Sequence, residues 1–433
     1  MVGEERSVST RRDLRLFWFA GAVDHLGSHS SSLVLVVLIL SLGADPVTAG
    51  LLGSLSIGVE AVLGLVGGVL ADRVSRRRVM VVSAGVAFLA TAALTVAVVV
   101  DGITVPVVFA VTAVESAGAA FYGSAARGSL RALLPDGERR QNVLATLSAR
   151  DQAAAFLGPL LGGVLYQATR WAPFAANAVS YLVAAGCMAS VRTELSTPAP
   201  PGRSSRRAEP LHRFAADGVR FMWRQPFLRF ALTWSAGINA VFTALYYVVM
   251  ITAQAHGVPA SALGTGLAVA NGFGVVGALL APAVLRRVRP APLVSACSWA
   301  MVALVVPLGL VHSVIAYVPL LGGVFLVGPV LSVLFQSMVI SVIPPELQGR
   351  ANSVLAAGGD AVQFVAPALA GLLLVLLSPL AVGAILAAVL AVLAVYATTS
   401  FRSVTPGRRG AASAEVPEPA SQPRPTVPEG REG

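Results

Sequence analysis

Charged side chains are scarce in this 433-residue sequence, and lysine is absent, so all 31 basic residues are arginine. Only 12% of the residues are charged, whereas soluble domains carry about 25%. This scarcity excludes an ordinary soluble domain and indicates a chain that crosses a membrane several times. The net charge of +10 does not indicate nucleic-acid binding, because the arginines lie in short segments between apolar runs and at the two ends.

Cysteine is also nearly absent. Cys187 and Cys297 each lie inside an apolar run, which excludes a disulfide framework and a cysteine-based metal cluster. The sequence has no G-x-S-x-G or H-E-x-x-H motif and no nucleophile–base constellation, so we do not expect an enzyme. His25 and His29 are spaced as a helical metal pair would be, but no third ligand is evident. We therefore expect no metal and no cofactor.

Long apolar runs dominate the rest of the sequence. Twelve of them approach the roughly 20 residues that a helix needs to span a bilayer. The predicted fold is therefore an all-α integral membrane protein with twelve transmembrane helices. The predicted spans are 14–42, 47–71, 78–100, 104–130, 141–168, 172–192, 227–254, 260–285, 291–312, 315–342, 350–377 and 379–400.

The arginines are unevenly divided between the two sets of loops. Alternate loops, beginning with the first, contain Arg170 alone, whereas the other loops and both ends are rich in arginine. Because positive loops stay in the cytoplasm, both termini are predicted to be cytoplasmic in a cell-membrane protein. The predicted organisation is a tail at 1–13, a six-helix bundle at 14–192, a linker with an amphipathic helix at 193–226, a second six-helix bundle at 227–401, and a disordered tail at 402–433.

The two bundles repeat one another in sequence. Residues 133–163 resemble residues 342–371, with Asn142 aligned to Asn352 and Pro159 aligned to Pro367. A repeat of two halves within one membrane chain is typical of transporters, whose binding site lies between the halves near the bilayer midplane.

One loop carries a motif. Residues 67–80, GGVLADRVSRRRVM, resemble the loop between helices 2 and 3 of the major facilitator superfamily, although Ser75 replaces the usual glycine. The resemblance implies that fold, with two pseudo-symmetric halves. It also implies a cytoplasmic gate in which Asp72 caps helix 11 and bonds Arg127 or Arg131. The alternative is a positive loop without further function. The predicted gate residues are Gly68, Asp72, Arg73, Arg76, Arg77, Arg127 and Arg131.

A second motif, LGPLLGGVL at 157–165, resembles the antiporter motif of helix 5 in that superfamily, with Ala154 in place of its first glycine. The matching residues are Gly158, Pro159, Gly162 and Gly163. Ordinary packing of small residues is the alternative. Stretches such as LRLFWFAGAVDHLG also resemble the exporter branch that includes macrolide-efflux proteins and enterobactin exporters. The stretch FYGSAARGSLRALLPD is similar to lysophospholipid flippases as well.

Acidic residues occur near the middle of several predicted helices. Ionisable groups at that depth are costly and usually face a cavity or a proton path. We predict proton coupling at Asp24, Glu115, Glu60 and Asp360, with a structural hydrogen bond as the alternative for each. Asp24 is the first candidate because it begins the polar run DHLGSHSSS. No arginine is expected at this depth, which favours protons and neutral or cationic substrates over anions.

Aromatic and amide side chains at near-helical spacing suit a large amphipathic ligand, although such residues also serve as packing. The predicted substrate-cavity residues are His25, Ser28, His29, Tyr122, Asn239, Phe242, Tyr246, Asn271 and Gln336. The predicted function is proton-coupled efflux, by a monomer, of a lipophilic neutral or cationic small molecule such as a drug or secondary metabolite. A lipid flippase, a proton symporter and a siderophore exporter are the alternatives.

Overall fold

The computed structural model describes residues 2–134, 138–195, 220, 223–307, 314–343 and 348–404. Twelve α-helices make up this part of the chain. They are α1 Val2–Ser41, α2 Pro46–Arg73, α3 Arg76–Val99, α4 Val105–Leu133, α5 Glu138–Ala168, α6 Ala172–Ser190, α7 Pro226–Ala255, α8 Ala260–Arg287, α9 Pro290–Val305, α10 Val314–Val342, α11 Gln348–Leu376 and α12 Pro379–Val404.

The all-α membrane fold predicted from the sequence is confirmed. Nine of the helices are long and apolar enough to cross a membrane, judged on the described residues. The exceptions are α5, α9 and α11. Helix α9 ends at Val305, and residues 308–312 of its predicted span lie outside the described residues; only residues 361–376 of α11 form an apolar segment. Helix α5 begins with the polar sequence ERRQN, which lowers its apolar character.

The structure describes only some of the predicted tails and linker. Helix α1 begins at Val2, so most of the predicted tail at 1–13 is helical instead. A helix there extends past the membrane-spanning part, which begins at Arg11. The predicted amphipathic helix of the linker, at 211–224, and the predicted disordered tail at 402–433 lie for the most part outside the described residues.

Prolines and one aspartate set the starts of several helices. Helices α2, α4, α6, α7 and α9 each have proline in the first two positions, where the missing N–H is not needed. Asp45 caps α2 by accepting a hydrogen bond of 2.9 Å from the Thr48 backbone N–H. Hydrogen bonds from Thr48, that of its side chain first, lower the pKa of Asp45 from its usual value.

The helices form two sets that meet along two seams. In the first set α1 packs on α5 and α6, and α4 packs on α2 and α3; in the second, α8 packs on α10, and α12 packs on α7 and α9. The sets meet where α2 packs on α11 and α5 packs on α8. Since α5 and α11 contain the aligned repeat segments, the two seams are related by the internal repeat.

The seams are tightest near one face of the molecule. We call the face with the loop at 73–76 the arginine-rich face, and the other, with the loop at 41–46, the opposite face. Four glycines near the opposite face touch backbone carbonyls so closely that a Cβ would clash. This glycine seal pairs Gly50 with Pro367, Gly371 with Pro46, Gly264 with Pro159, and Gly163 with Ala260. Ser54 Oγ also accepts from the Ala368 N–H at 3.1 Å across the first seam.

At the arginine-rich face, polar side chains join the helices of the first set to one another. Arg76 Nη1 donates to the Gly128 carbonyl at 2.8 Å and to the Leu195 carbonyl at 3.2 Å. Asp13 is 1% exposed, and its Oδ2 accepts from the Arg192 and Thr193 N–H groups at 3.0 and 2.7 Å. These bonds hold α1, α3, α4 and the end of α6 together as one body.

Candidate functional site

Two cavities lie between the glycine seal and the arginine-rich face. The N cavity, of about 670 Å³, is lined by α1, α2, α4, α5 and α6. The C cavity, of about 820 Å³, is lined mainly by α5, α7, α8 and α10. Helix α5 separates them, with Arg150 and Asp151 facing the N cavity and Ser148 and Gln152 facing the C cavity. The space is therefore closed at the opposite face and divided into two chambers.

The N cavity brings together most of the predicted ionisable residues. Asp24, Glu60 and Glu115 come from α1, α2 and α4 and all lie on its wall. The predicted cavity residues His25, Ser28, His29 and Tyr122 lie there too. Asp360 belongs to α11, but its side chain lies outside the described part of the structure. The carboxyl groups of such a chamber can bind protons or a ligand.

Glu115 is the centre of a buried hydrogen-bond network. Its Oε1 accepts from Tyr181 OH at 2.8 Å and from Asn177 Nδ2 at 2.7 Å. Tyr181 OH also contacts Ser28 Oγ of α1 at 3.2 Å. Glu115, Asn177 and Tyr181 are 9%, 0% and 3% exposed. The network satisfies a carboxyl group that would be costly to bury alone, and it couples α4 to α6 and α1.

The N cavity contradicts one expectation from the sequence, that no fixed cation lies at the depth of the acids. Arg150 and Arg127 both line it. The Arg150 side chain is 8% exposed, and its Nη2 donates to Asp151 Oδ1 at 2.7 Å. The guanidinium packs where a side chain at position 21 would stand, so Gly21 leaves it room beside α1. The long arginine side chain thus reaches the turn of α1 that precedes Asp24.

The two histidines form a pair with an acid of α5. His25 Nε2 lies 3.6 Å from Asp151 Oδ1, and the His25 and His29 rings are stacked with centroids 6.4 Å apart. No group of three or more metal-ligating side chains occurs among the described residues. The pair therefore contributes polar and titratable groups to the wall of the N cavity.

The C cavity contains the amide and aromatic residues predicted for substrate contact. Asn239, Phe242, Asn271 and Gln336 line it, on three different helices. Tyr246 is placed elsewhere: its ring packs against Tyr247 at 5.5 Å, and it lines neither chamber. The reason is its position on α7, nearer the opposite face, where the helix meets the seal. The described lining of the C cavity includes no ionisable side chain.

The residues of the predicted gate lie near the arginine-rich face. Arg73 is exposed, Arg77 donates to the Ala189 carbonyl of α6, and Gly68 has open space beside it. Arg127 Nη2 donates to Ser124 Oγ at 3.4 Å. The side chains of Asp72 and Arg131 lie outside the described residues. The bonds of Arg76 and Arg77 stay within the first set of helices, so the gate itself stays a prediction.

The residues of the predicted antiporter motif lie where three helices meet. Gly158 contacts His29 and Ser30 of α1, and Gly162 contacts the Ser30 carbonyl. Pro159 and Gly163 face α8 as part of the glycine seal. The small residues of α5 thus allow α1 and α8 to approach its backbone from two sides.

Residues on α6 are the part of the site that the sequence patterns missed. Asn177 and Tyr181 hold Glu115, yet they were not among the predicted site residues. Their spacing of four on one helix is the signal that could have marked them, since it places both on one face. Nothing in the sequence pairs that face with Glu115.

Comparison with known proteins identifies the fold. The structure resembles that of the nucleoside transporter NupG, at 12% identity and a TM-score of 0.69, over 90% of this chain and all of that one. It also resembles that of a peptide transporter POT in complex with sulfate. For the latter the identity is 16% and the TM-score 0.67, over 91% of this chain and 96% of that one. No curated protein sequence matches significantly. Residues 17–335 match the Major Facilitator Superfamily. The chain therefore belongs to the Major Facilitator Superfamily and is a multi-pass membrane transporter of small molecules, not an enzyme.

Proposed function

We propose that this transporter exports a lipophilic, neutral or cationic small molecule in exchange for protons. The observation that carries the proposal is the N cavity, in which Asp24 and Glu115 lie between helices on the arginine-rich side of the glycine seal. Carboxyl groups at this depth are retained where they bind protons or a ligand. A carboxyl group that binds a proton loses its negative charge, so proton binding and cation binding at these side chains exclude one another.

The charge balance of the N cavity supports a cationic or neutral ligand. Its wall carries four acids, Asp24, Glu60, Glu115 and Asp151, against Arg127 and Arg150. Arg150 is already paired with Asp151 at 2.7 Å. Asp24 and Glu115 thus provide negative charge when they release their protons, and a cation and a proton compete for the same chamber.

A second candidate function is supported by the same two arginines. Arg127 makes only a long hydrogen bond of 3.4 Å, to Ser124, among its described contacts. A guanidinium that is weakly held on a cavity wall suits a phosphate or carboxylate, as in a lipid flippase or a siderophore exporter. The acids that surround it favour the first candidate, because an anionic substrate would have to be placed among them.

The arginine-rich face is proposed to be cytoplasmic in a cell membrane, by the positive-inside rule. Both cavities lie on that side of the glycine seal, which supports assigning this conformation to a state that faces the cytoplasm. A monomer is proposed as the working unit. Export of the substrate would then require the seal to open and the arginine-rich ends to close.

The orientation can be tested by thiol labelling. In a background without Cys187 and Cys297, we expect Ser75→Cys to be labelled by an impermeant maleimide only in everted vesicles. Thr169→Cys, at the opposite face, should be labelled only in intact cells. Both positions are exposed, so access is not limited by the protein. Labelling of residue 75 in intact cells would show that the arginine-rich face is external. The assigned orientation, and with it the proposed direction of transport, would then be wrong.

The function can be tested by drug accumulation in cells. A pump-deficient bacterial host that expresses the chain should accumulate less daunorubicin, a flat molecule with one ammonium group, than the same host with an empty vector. Collapse of the proton gradient should abolish the difference. A higher accumulation of the drug in cells that express the chain would indicate uptake. If the chain lowers the accumulation of anionic compounds only, the second candidate function, transport of an anionic substrate, is favoured.

A further inference from the structure

A groove runs along the outside of the first set of helices, between α3 and α4. Helix α3 packs mainly on α4 and α6, away from both seams, so this side of the bundle faces the lipid. The groove consists of two hollows, of about 670 and 370 Å³, which meet at Val86 and Val114. It shares no lining residue with the N cavity or the C cavity, so it is a separate site.

The groove is about as deep as one leaflet of a bilayer. On α3 its lining extends from Arg78, at the arginine-rich face, to Ala90. At roughly 1.5 Å per helical residue this distance is about 18 Å. Half of the hydrocarbon core of a bilayer is about 15 Å thick. The groove therefore has the length of one acyl chain of a lipid in the leaflet at the arginine-rich face.

The surface of the groove suits such a chain. A Cβ at Gly118 would lie 3.0 Å from the Ser83 carbonyl oxygen, so the backbones of α3 and α4 come close together there. The valines beside this contact stay open to the lipid, Val82 being 63% and Val114 41% exposed. Apart from Arg78 and Ser83, the described lining is apolar. An apolar chain in the groove gains van der Waals contact with both helices.

The arginine at the end of the groove is not engaged by the protein. Arg76 and Arg77 donate to the carbonyls of Gly128 and Ala189. Arg78 is exposed and lines the groove, and it makes no hydrogen bond or ion pair in the part of the chain that the structure describes. A guanidinium pairs with a phosphate group through two parallel hydrogen bonds. A phosphate held beside an apolar groove of this length is that of a phospholipid.

We propose that the groove between α3 and α4 binds one anionic phospholipid of the leaflet at the arginine-rich face, with its phosphate at Arg78 and one acyl chain along the groove. Residues 72–78 contain four arginines and one aspartate, and positive charge at a membrane surface attracts anionic lipids. The proposal depends neither on the substrate nor on the direction of transport, and it adds a lipid partner to the transporter.

Lipid retention by the purified full chain tests the proposal. The chain in detergent is mixed with equal amounts of phosphatidylglycerol and phosphatidylcholine that have the same acyl chains, and bound lipids are counted by native mass spectrometry. We expect one phosphatidylglycerol molecule to be retained in preference, and Arg78→Gln to lower its affinity about 5-fold. Ala117→Phe, which places a ring in the groove, should remove the bound lipid whichever headgroup it has.

Matched controls separate the groove from general effects of charge and size. Arg287→Gln, at the exposed end of α8, and Ala176→Phe, at an exposed position of α6, lie outside the groove and should retain the lipid as the wild type does. All variants must elute as monodisperse peaks, and Ala113→Leu serves if Ala117→Phe does not fold.

Three results would overturn the proposal. The first is equal retention of the two lipids by the wild type, or retention by the groove variants at the wild-type level. The second is a loss in Arg287→Gln as large as that in Arg78→Gln, because diffuse charge would then be responsible. The third is a dimer that Ala117→Phe separates, because a second copy of the chain would then occupy the groove.

Discussion

Asp24→Asn is expected to abolish the part of daunorubicin accumulation that exceeds that of vesicles without the protein, measured in everted vesicles with an acidic interior, while exchange of drug across the membrane without a gradient continues. Asparagine fills nearly the same volume on the wall of the N cavity but cannot ionise. Only the step that links proton release to substrate binding requires the charge, so the movement of the helices survives.

The free energy that proton movement supplies is large enough for the loss of drug accumulation to be measured. One proton that moves through a potential of about 100 mV supplies roughly 2.3 kcal/mol, and each pH unit adds about 1.4 kcal/mol. A carrier without coupling can only equilibrate its substrate. Asp24 lies in the chamber with Arg150, Glu115 and Tyr122, so a local change of charge is felt by several groups.

Glu60→Gln is the matched control for this experiment. Glu60 lies on the same cavity wall but is exposed, so we expect a milder loss. Accumulation at the wild-type rate in Asp24→Asn vesicles would show that Asp24 is structural. Glu115, held by Asn177 and Tyr181, would then be the next candidate for the coupling acid.

Gly50→Ala should prevent closure of the opposite face and abolish transport without loss of folding. A Cβ at Gly50 would clash with the Pro367 carbonyl, and a backbone atom cannot move aside as a side chain can. The pair can separate only if α2 leaves α11, which is the opening of the seal. We therefore expect the variant to favour the state open to the opposite face, in which Ser28→Cys becomes labelled from outside the cell.

Gly64→Ala supplies the control on the same helix. Among the described residues, no atom of another turn or helix lies within 4 Å of a Cβ at Gly64, so the added methyl group meets open space. Both changes raise helix propensity by about 1 kcal/mol, so that effect cancels between them. Normal transport by Gly50→Ala would mean that the tight contact at the seal is not needed for the transport cycle. By the internal repeat, Gly264→Ala should behave as Gly50→Ala does.

Much of the fold could be predicted from the sequence because its signals are local. Apolar runs set the helices, and the arginines mark one face, so the twelve elements were found. Most of their ends are displaced by a few residues, and the start of α1 by twelve. The sequence repeat also aligned Pro159 with Pro367, without assigning them a role. Both prolines do lie at the seams, each with its carbonyl against a glycine of the other half.

The interior of the site was less accessible to prediction because it depends on contacts between distant helices. Nothing in the sequence around Arg150 predicts that its side chain enters the N cavity. The guanidinium fits there because Gly21 of α1 has no side chain. Similarly, the pairing of Glu115 with Tyr181 joins α4 to α6 across 66 residues of sequence. Periodicity places a residue on a helix face, but it does not say which helix that face meets.

The coupling of drug and proton fluxes is the most direct test of the account. Purified protein is placed in liposomes that contain a pH-sensitive dye, and daunorubicin is added outside in the absence of any initial pH gradient. Uncharged drug that crosses the lipid unaided also binds protons inside, so the signal is compared with liposomes that contain no protein. Relative to these, we expect the wild-type protein to speed drug entry and make the interior more alkaline, and we expect Asp24→Asn to add no pH change. Drug entry through the wild-type protein without any proton movement would contradict proton-coupled exchange.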